Sequence, residues 1–206
     1  LLVMTNATAH VDTFARDNLP LAETLPEFLL DGFDYPPELN IGTELTDAMV
    51  TKGFGDHTAL IGNGRRRTYK ELSDWTNRIA HVLVDDIGVQ PGNRVLIRSA
   101  NNPAMVACWL AATKVGAVVV NSMPMLRAGE LRKYVEKAQI SYALCDTRLM
   151  DEMEICAEEN PILTRVMGFD GTSNHDAELD RLALEKPVQF DAVQTMQDDV
   201  ALLGFT

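Results

Sequence analysis

Residues 92–121, GNRVLIRSANNPAMVACWLAATKVGAVVVN, decide the fold. Arg94-Val95-Leu96-Ile97-Arg98 follows the turn pair Pro91-Gly92 and reads as a short strand. Asn101 or Asn102 then caps a helix that carries Pro103 in its first turn, where a missing N–H costs nothing. The helix runs through Trp109 and Leu110 to about Val115, and Gly116 ends it. Ala117 to Asn121 is β-branched and apolar, as expected of a strand covered on both faces.

The same alternation continues downstream. A proline-bearing loop, Ser122 to Met125, precedes a helix from about Ala128 to Ala138. Tyr142-Ala143-Leu144-Cys145 reads as a buried strand, and Asp146 caps the next helix. Arg165 to Phe169 is a further strand, Ala177 to Leu184 a helix, and Val200 to Phe205 a final strand. Strands that alternate with helices imply right-handed crossovers, hence an α/β fold with a mainly parallel sheet and helices on both faces.

Upstream, Thr68 and Glu71 form a capping box, with the hydroxyl accepting from one orphan N–H while the carboxylate reaches back to another. Leu72, Trp75, Ile79, Val82 and Leu83 follow at helical spacing, so this helix lays one face on a core, and Gly88 stops it. Before it lies a β-hairpin, Thr58–Ile61 and Arg65–Tyr69, turned by Asn63-Gly64 in the type I′ manner. Gly62-Asn63-Gly64 is no dinucleotide fingerprint, since Arg67 holds the place of the third glycine and a hairpin surrounds it. One short helix is expected over Glu44–Lys52. Residues 1–43, interrupted by Pro20, Pro26, Pro36 and Pro37, read as an irregular segment packing on an α/β portion spanning 44–206.

The composition narrows the function. The chain has 206 residues, 46% hydrophobic and 23% charged, and a formal net charge of −12, which is globular and argues against a nucleic-acid partner. Arg65-Arg66-Arg67 reads as a solvated strand end. Cys108, Cys145 and Cys156 are widely spaced and the histidines His10, His57, His81 and His175 are scattered, so neither a zinc site nor a disulfide framework is expected. Leu1-Leu2-Val3-Met4 is too short for a signal sequence, and Ala104–Val120, with Lys114 and Gly116 inside it, is too short for a membrane span. A soluble, cytoplasmic protein with no membrane partner is expected.

Three segments carry a family resemblance. Thr68-Tyr69-Lys70-Glu71-Leu72 resembles the T-Y-x-E-L segment of the adenylate-forming (AMP-forming) ligase superfamily. Trp109 to Asn121, after the Gly92–Val95 strand entry, is similar to that family's helix-to-strand segment around L-K-x-G-A. Leu202-Leu203-Gly204-Phe205-Thr206 resembles the strand leading into its T-S-G-T-T-G-x-P-K loop. The opening segment His10–Pro20 looks like the N-termini of bacterial benzoate- and 2-aminobenzoate–CoA ligases. Each motif also serves as a helix cap, a helix stop or a core strand, and it is their order along the chain that makes the resemblance specific.

The resemblance implies the N-terminal part of an acid–CoA ligase. A carboxylic acid, aromatic by the N-terminal likeness, attacks Mg-ATP to give an acyl-adenylate and diphosphate, and coenzyme A then displaces AMP. It implies ATP, Mg2+ and CoA as cofactors, with acid, ATP and CoA as the small-molecule partners, and leaves a homodimer open. Thr206 would be the first residue of the ATP phosphate loop, and an inactive fragment, trimmed or proteolysed just there, is expected. No catalytic residue and no metal ligand is expected within 1–206. Arg98, Asn101, Arg127 and Lys133 lie where the phosphates of a CoA nucleotide could be met, with solvation or helix capping as their plain alternative. Cys145-Asp146 lacks a suitably placed histidine and reads as a buried cysteine beside a cap. Ligases for aliphatic acids, amino-acid adenylating domains and a non-catalytic α/β binding module stay open as alternatives.

Overall fold

The computed structural model describes residues 7–24, 32, 34–172 and 176–205. A short helix, α1 (Phe14–Asp17), is followed by α2 (Ile41–Glu44) and α3 (Asp47–Met49), the latter running into a π-helical turn over Val50–Phe54. The hairpin strands β1 (Thr58–Gly62) and β2 (Arg65–Thr68) lead into α4 (Tyr69–His81). Then come β3 (Arg94–Arg98), α5 (Pro103–Lys114), β4 (Val118–Ser122), α6 (Ala128–Ala138) and β5 (Tyr142–Asp146). The described chain closes with α7 (Met150–Glu159), β6 (Arg165–Phe169), α8 (Glu178–Leu184) and β7 (Leu202–Leu203).

Five parallel strands form one sheet in the order β6-β5-β3-β4-β7, and β1-β2 is a separate antiparallel hairpin. Side chains of successive strand residues alternate between two cores. Val95, Ile97, Val119, Leu144, Met167 and Phe169 face the layer that holds α4, α5 and α8. Leu96, Val120, Ala143 and Cys145 face α6 and α7. The steps β3 to β4 and β6 to β7 run toward one edge with their helices on the first face. The steps β4 to β5 and β5 to β6 run the other way with their helices on the second, as right-handed crossovers demand. Each buried Val, Leu, Ile, Met or Phe among them contributes about 1.5–3 kcal/mol relative to an exposed one.

Local chemistry sets the element ends. Thr68 Oγ1 accepts from Glu71 N while the Glu71 carboxylate accepts from Thr68 N, which is the expected capping box. Asn63 (φ 52°) and Gly64 (φ 71°) both occupy the left-handed region that a type I′ turn requires. Asn102, not Asn101, caps α5, its Oδ1 accepting from Met105 N.

Three expectations need correction. The single helix over 44–52 is broken into α2, α3 and a π turn, because Thr46 leaves helical geometry and its hydroxyl donates back to Gly42 O at 2.5 Å. The last strand is shorter than 200–205: only Leu202 and Leu203 pair with β4, and Phe205 turns off to stack on Tyr134 at 4.1 Å. Arg67 is not a solvated strand end like Arg65 and Arg66. It is 5% exposed, with its guanidinium 4.7 Å from the centre of the Trp75 ring, and burial pushes its pKa down. The alternation of β2 turns this one arginine inward.

Two polar ties hold the layers in register. Lys114, at the end of α5, is fully buried and donates to Asp47 Oδ2 (2.7 Å) and Asn77 Oδ1 (2.5 Å), while Ser73 Oγ donates to Asp47 Oδ1 (2.5 Å). Hence α3, α4 and α5 share one network. At the same amino-terminal end of the sheet the segment around His10–Asp17 docks. Val11 N and Asp12 N both donate to Pro91 O at 3.0 Å, and Arg94 pairs with Asp12 at 2.5 Å and lies over the Phe14 ring at 4.7 Å. Gly92, at φ +87°, leaves room for the Asp12 carbonyl where a Cβ would stand.

Candidate functional site

In an open parallel sheet, ligands bind beyond the carboxyl ends of the strands, where neighbouring strands send their connections in opposite directions. Here that point lies between β3 and β5: the chain leaves β3 toward β4 but leaves β5 toward β6. A cleft of about 390 Å³ opens at these strand ends, lined by Arg98, Arg127, Arg148, Asp151 and Glu152 together with the loop Pro124–Leu126 and Leu149.

Arg98 is the last residue of β3 and is 2% exposed. It donates to three carbonyls, Met123 O (3.3 Å), Pro124 O (3.0 Å) and Leu149 O (3.3 Å), so it ties the β4–α6 loop to the turn after β5. Among the described residues no carboxylate lies within ion-pair distance of it. A buried guanidinium balanced only by carbonyl dipoles retains most of its charge for whatever enters the cleft.

Asp146 ends β5 with its side chain fully buried. Its Oδ1 accepts from Arg148 N (3.1 Å) and Nε (2.9 Å), and its Oδ2 accepts from Arg148 Nη2 (2.6 Å) and Ser99 Oγ (3.3 Å). Burial raises the Asp146 pKa, but these donors, the Arg148 side chain first, outweigh it and leave the carboxyl below its ordinary value. The same contact raises the Arg148 pKa. A Cβ on Gly171 would overlap both partners, so that glycine is required for the pair to close. Cys145 beside it is 0% exposed, and burial pushes its thiol up to about 12, away from the thiolate form a nucleophile needs.

The third arginine is held differently. Arg127, with a side chain 79% exposed, pairs with Glu152 Oε1 at 2.6 Å. The other Glu152 oxygen accepts from Ala128 N (2.8 Å), in the first turn of α6. Glu130 accepts from Arg127 N at 2.9 Å and caps the same helix. The Arg127 side chain, followed by the Ala128 amide, holds the Glu152 carboxyl below its ordinary value.

Of the residues singled out from the sequence, Arg98 and Arg127 meet in this cleft. Asn101 sits exposed in the loop before α5, and Lys133 is exposed on α6; neither lines the cleft. Thr206 lies outside the described residues. Arg148 and Glu152 were missed, although Asp146-Thr147-Arg148 follows a strand that was recognised: a carboxylate two residues before an arginine at a strand end was the available signal. Among the described residues no group of three or more His, Cys, Asp or Glu could hold a metal ion, and no helix is long and apolar enough to cross a membrane.

Comparisons with known proteins agree with this architecture. The chain is 31% identical over 140 residues to a salicylyl-CoA synthase / salicylate adenylyltransferase of a Streptomyces species, covering 65% of this chain and 25% of the relative. It is 29% identical over 123 residues to a medium/long-chain-fatty-acid–CoA/3-oxocholest-4-en-26-oate–CoA ligase of Mycolicibacterium smegmatis, covering 60% of this chain and 22% of the relative. The chain thus spans about a quarter of the length of these curated relatives. An anthranilate CoA ligase solved with anthranoyl-AMP has the same fold, with a TM-score of 0.75 at 17% identity over 84% of this chain and 32% of that one. So does a long-chain-fatty-acid-CoA ligase from Archaeoglobus fulgidus, with a TM-score of 0.72 at 22% identity, over 84% of this chain and 35% of that one. A match to the AMP-binding enzyme family runs over residues 48–206, and the chain belongs to that family.

Proposed function

We propose that this chain is the N-terminal part of an ATP-dependent acid–CoA ligase that acts through an acyl-adenylate. The carrying observation is the arginine-lined cleft at the switch point of a chain that belongs to the AMP-binding enzyme family. In this reading the cleft meets phosphates of the CoA nucleotide. Arg98 supplies a charge fixed by three carbonyls, Arg148 a charge held in place by Asp146, and Arg127 an exposed one at the cleft mouth. Phosphates recognised by guanidinium groups are bound by paired, charge-assisted hydrogen bonds, which point charges on flexible lysines imitate less well.

ATP enters as its Mg2+ complex, the metal neutralising phosphate charge during adenylation, and Thr206 opens the loop that grips those phosphates. The chain 1–206 by itself is inactive in this proposal. The acid is aromatic, by the relationship to the salicylate and anthranilate enzymes. A second reading, an aliphatic acid, is favoured by the fatty-acid and steroid-acid ligases among the relatives.

The test is acid-dependent ATP–diphosphate exchange by the full-length protein with benzoate, 2-aminobenzoate, salicylate and medium-chain fatty acids. Exchange with the aromatic acids is expected. Exchange with the fatty acids alone selects the second reading, and none with any acid by a folded protein refutes the ligase.

A further inference from the structure

The charges around the cleft balance. Arg98, Arg127 and Arg148 line it together with Asp151 and Glu152, while Asp146, outside the lining, neutralises Arg148 from within the fold. The carboxylates are not equivalent. Asp146 is fully buried and committed to Arg148 through both oxygens. Glu152 instead occupies the place an anion would take: one oxygen on the Arg127 guanidinium, the other on the Ala128 amide, at the start of an eleven-residue helix.

We propose that Glu152 is an internal stand-in for the ligand phosphate, an autoinhibitory carboxylate that closes the arginine cleft until an incoming phosphate group displaces it. The proposal rests on the reading of this cleft as the CoA-nucleotide site and adds its regulation. Displacement has a low cost. The Arg127–Glu152 pair has one partner largely in water, and an ion pair screened in this way adds little stability. Glu152 stands in the first turn of α7, so a rotation about its side-chain bonds carries the carboxylate outward without moving the backbone. Once it leaves, Arg127 and the Ala128 amide are free, and Arg98, which has no carboxylate of its own, gives the cleft a net positive charge. The exchange of one anion for another tunes affinity: a carboxylate with one charge is replaced by a phosphate with more charge and a third oxygen. Ligands that carry no phosphate cannot open the cleft in this way.

The test is calorimetric binding of adenosine 3′,5′-bisphosphate and of inorganic diphosphate to the full chain, with adenosine as the uncharged control. Wild type is compared with Glu152→Gln and Glu152→Ala. Glu159→Gln, on the same helix but paired with Arg132 away from the cleft, makes the same change of net charge. Both Glu152 variants are expected to bind the bisphosphate about threefold to tenfold more tightly than wild type, the gain shrinking at high salt. Adenosine and Glu159→Gln should show no gain. Equal affinities in wild type and both Glu152 variants, or an equal gain in Glu159→Gln, overturn the gate while leaving the nucleotide site standing. Diphosphate that tightens in the Glu152 variants while the bisphosphate binds none of them keeps the gate and removes the CoA-nucleotide reading. No binding by any folded variant overturns both.

Discussion

Replacing Lys114 with Met tests whether the packing of α3, α4 and α5 depends on a buried charge. The ammonium is completely inaccessible and donates to Asp47 at 2.7 Å and Asn77 at 2.5 Å. Methionine fills the volume of the stem but removes both donors. Breaking a fully buried ion pair costs about 3–5 kcal/mol, because the surviving charge is stranded. Here the survivor, Asp47, is 33% exposed and keeps donors from Ser73 at 2.5 Å and Asn77 at 3.3 Å, so part of that cost is recovered from water and from those bonds. The loss should therefore be about 1–3 kcal/mol. Urea unfolding of the full chain, followed by the fluorescence of Trp75 and Trp109, reads this as a lower midpoint with an unchanged slope. Asp47→Asn in the Lys114→Met background should cost less than in wild type, by about 1 kcal/mol, because the two groups interact. A Lys114→Met chain as stable as wild type, with Asp47→Asn strictly additive, would refute the network.

Three further outcomes follow from the same geometry. Burial pushes the His10 imidazole below its ordinary value of 6.5 against the raising pull of Asp199 and Asp12, so the unfolded chain takes up the proton first as pH falls. Stability should be full above 6.5 and decline as pH drops through it toward the folded pKa; thermal melts of His10→Gln should lose this part of the slope, and an identical slope would contradict it. Gly92→Ala adds a Cβ at φ +87° against the Asp12 carbonyl, so it should cost about 1–3 kcal/mol and expose the segment around Asp12 to limited proteolysis, whereas a protected segment argues against the docking described. Cys145, its thiol pushed up to about 12, should react with a thiol reagent at neutral pH only as fast as the chain unfolds, and rapid labelling of the native chain would show that its burial is misjudged.

Period and punctuation were legible in the amino-acid order. The capping box at Thr68 and Glu71, the Asn63-Gly64 turn and the alternation from Arg94 onward all depend on neighbours within a few residues, and the structure reproduces them. Elements that depend on distant partners were read less well. Glu44–Lys52 reads as one helix, but the chain breaks at Thr46, and the segment presents Asp47 to a lysine on α5. Val200–Phe205 suits a strand, but Phe205 finds a better surface on Tyr134 than on the ladder.

The order of residues alone therefore determined the α/β class, the parallel crossovers, the hairpin and most helix ends, because hydrophobic period, caps and turns act over a few residues. Only tertiary structure decided the strand order and hence the switch point. It also decided which arginines meet there and that Glu152 lies among them. Arg98, Arg127, Arg148 and Glu152 come from β3, the β4–α6 loop, the turn after β5 and the first turn of α7, and nothing in their spacing encodes that meeting. It arises because β5 pairs beside β3 rather than beside β4, a choice made by burying both faces of the sheet at once.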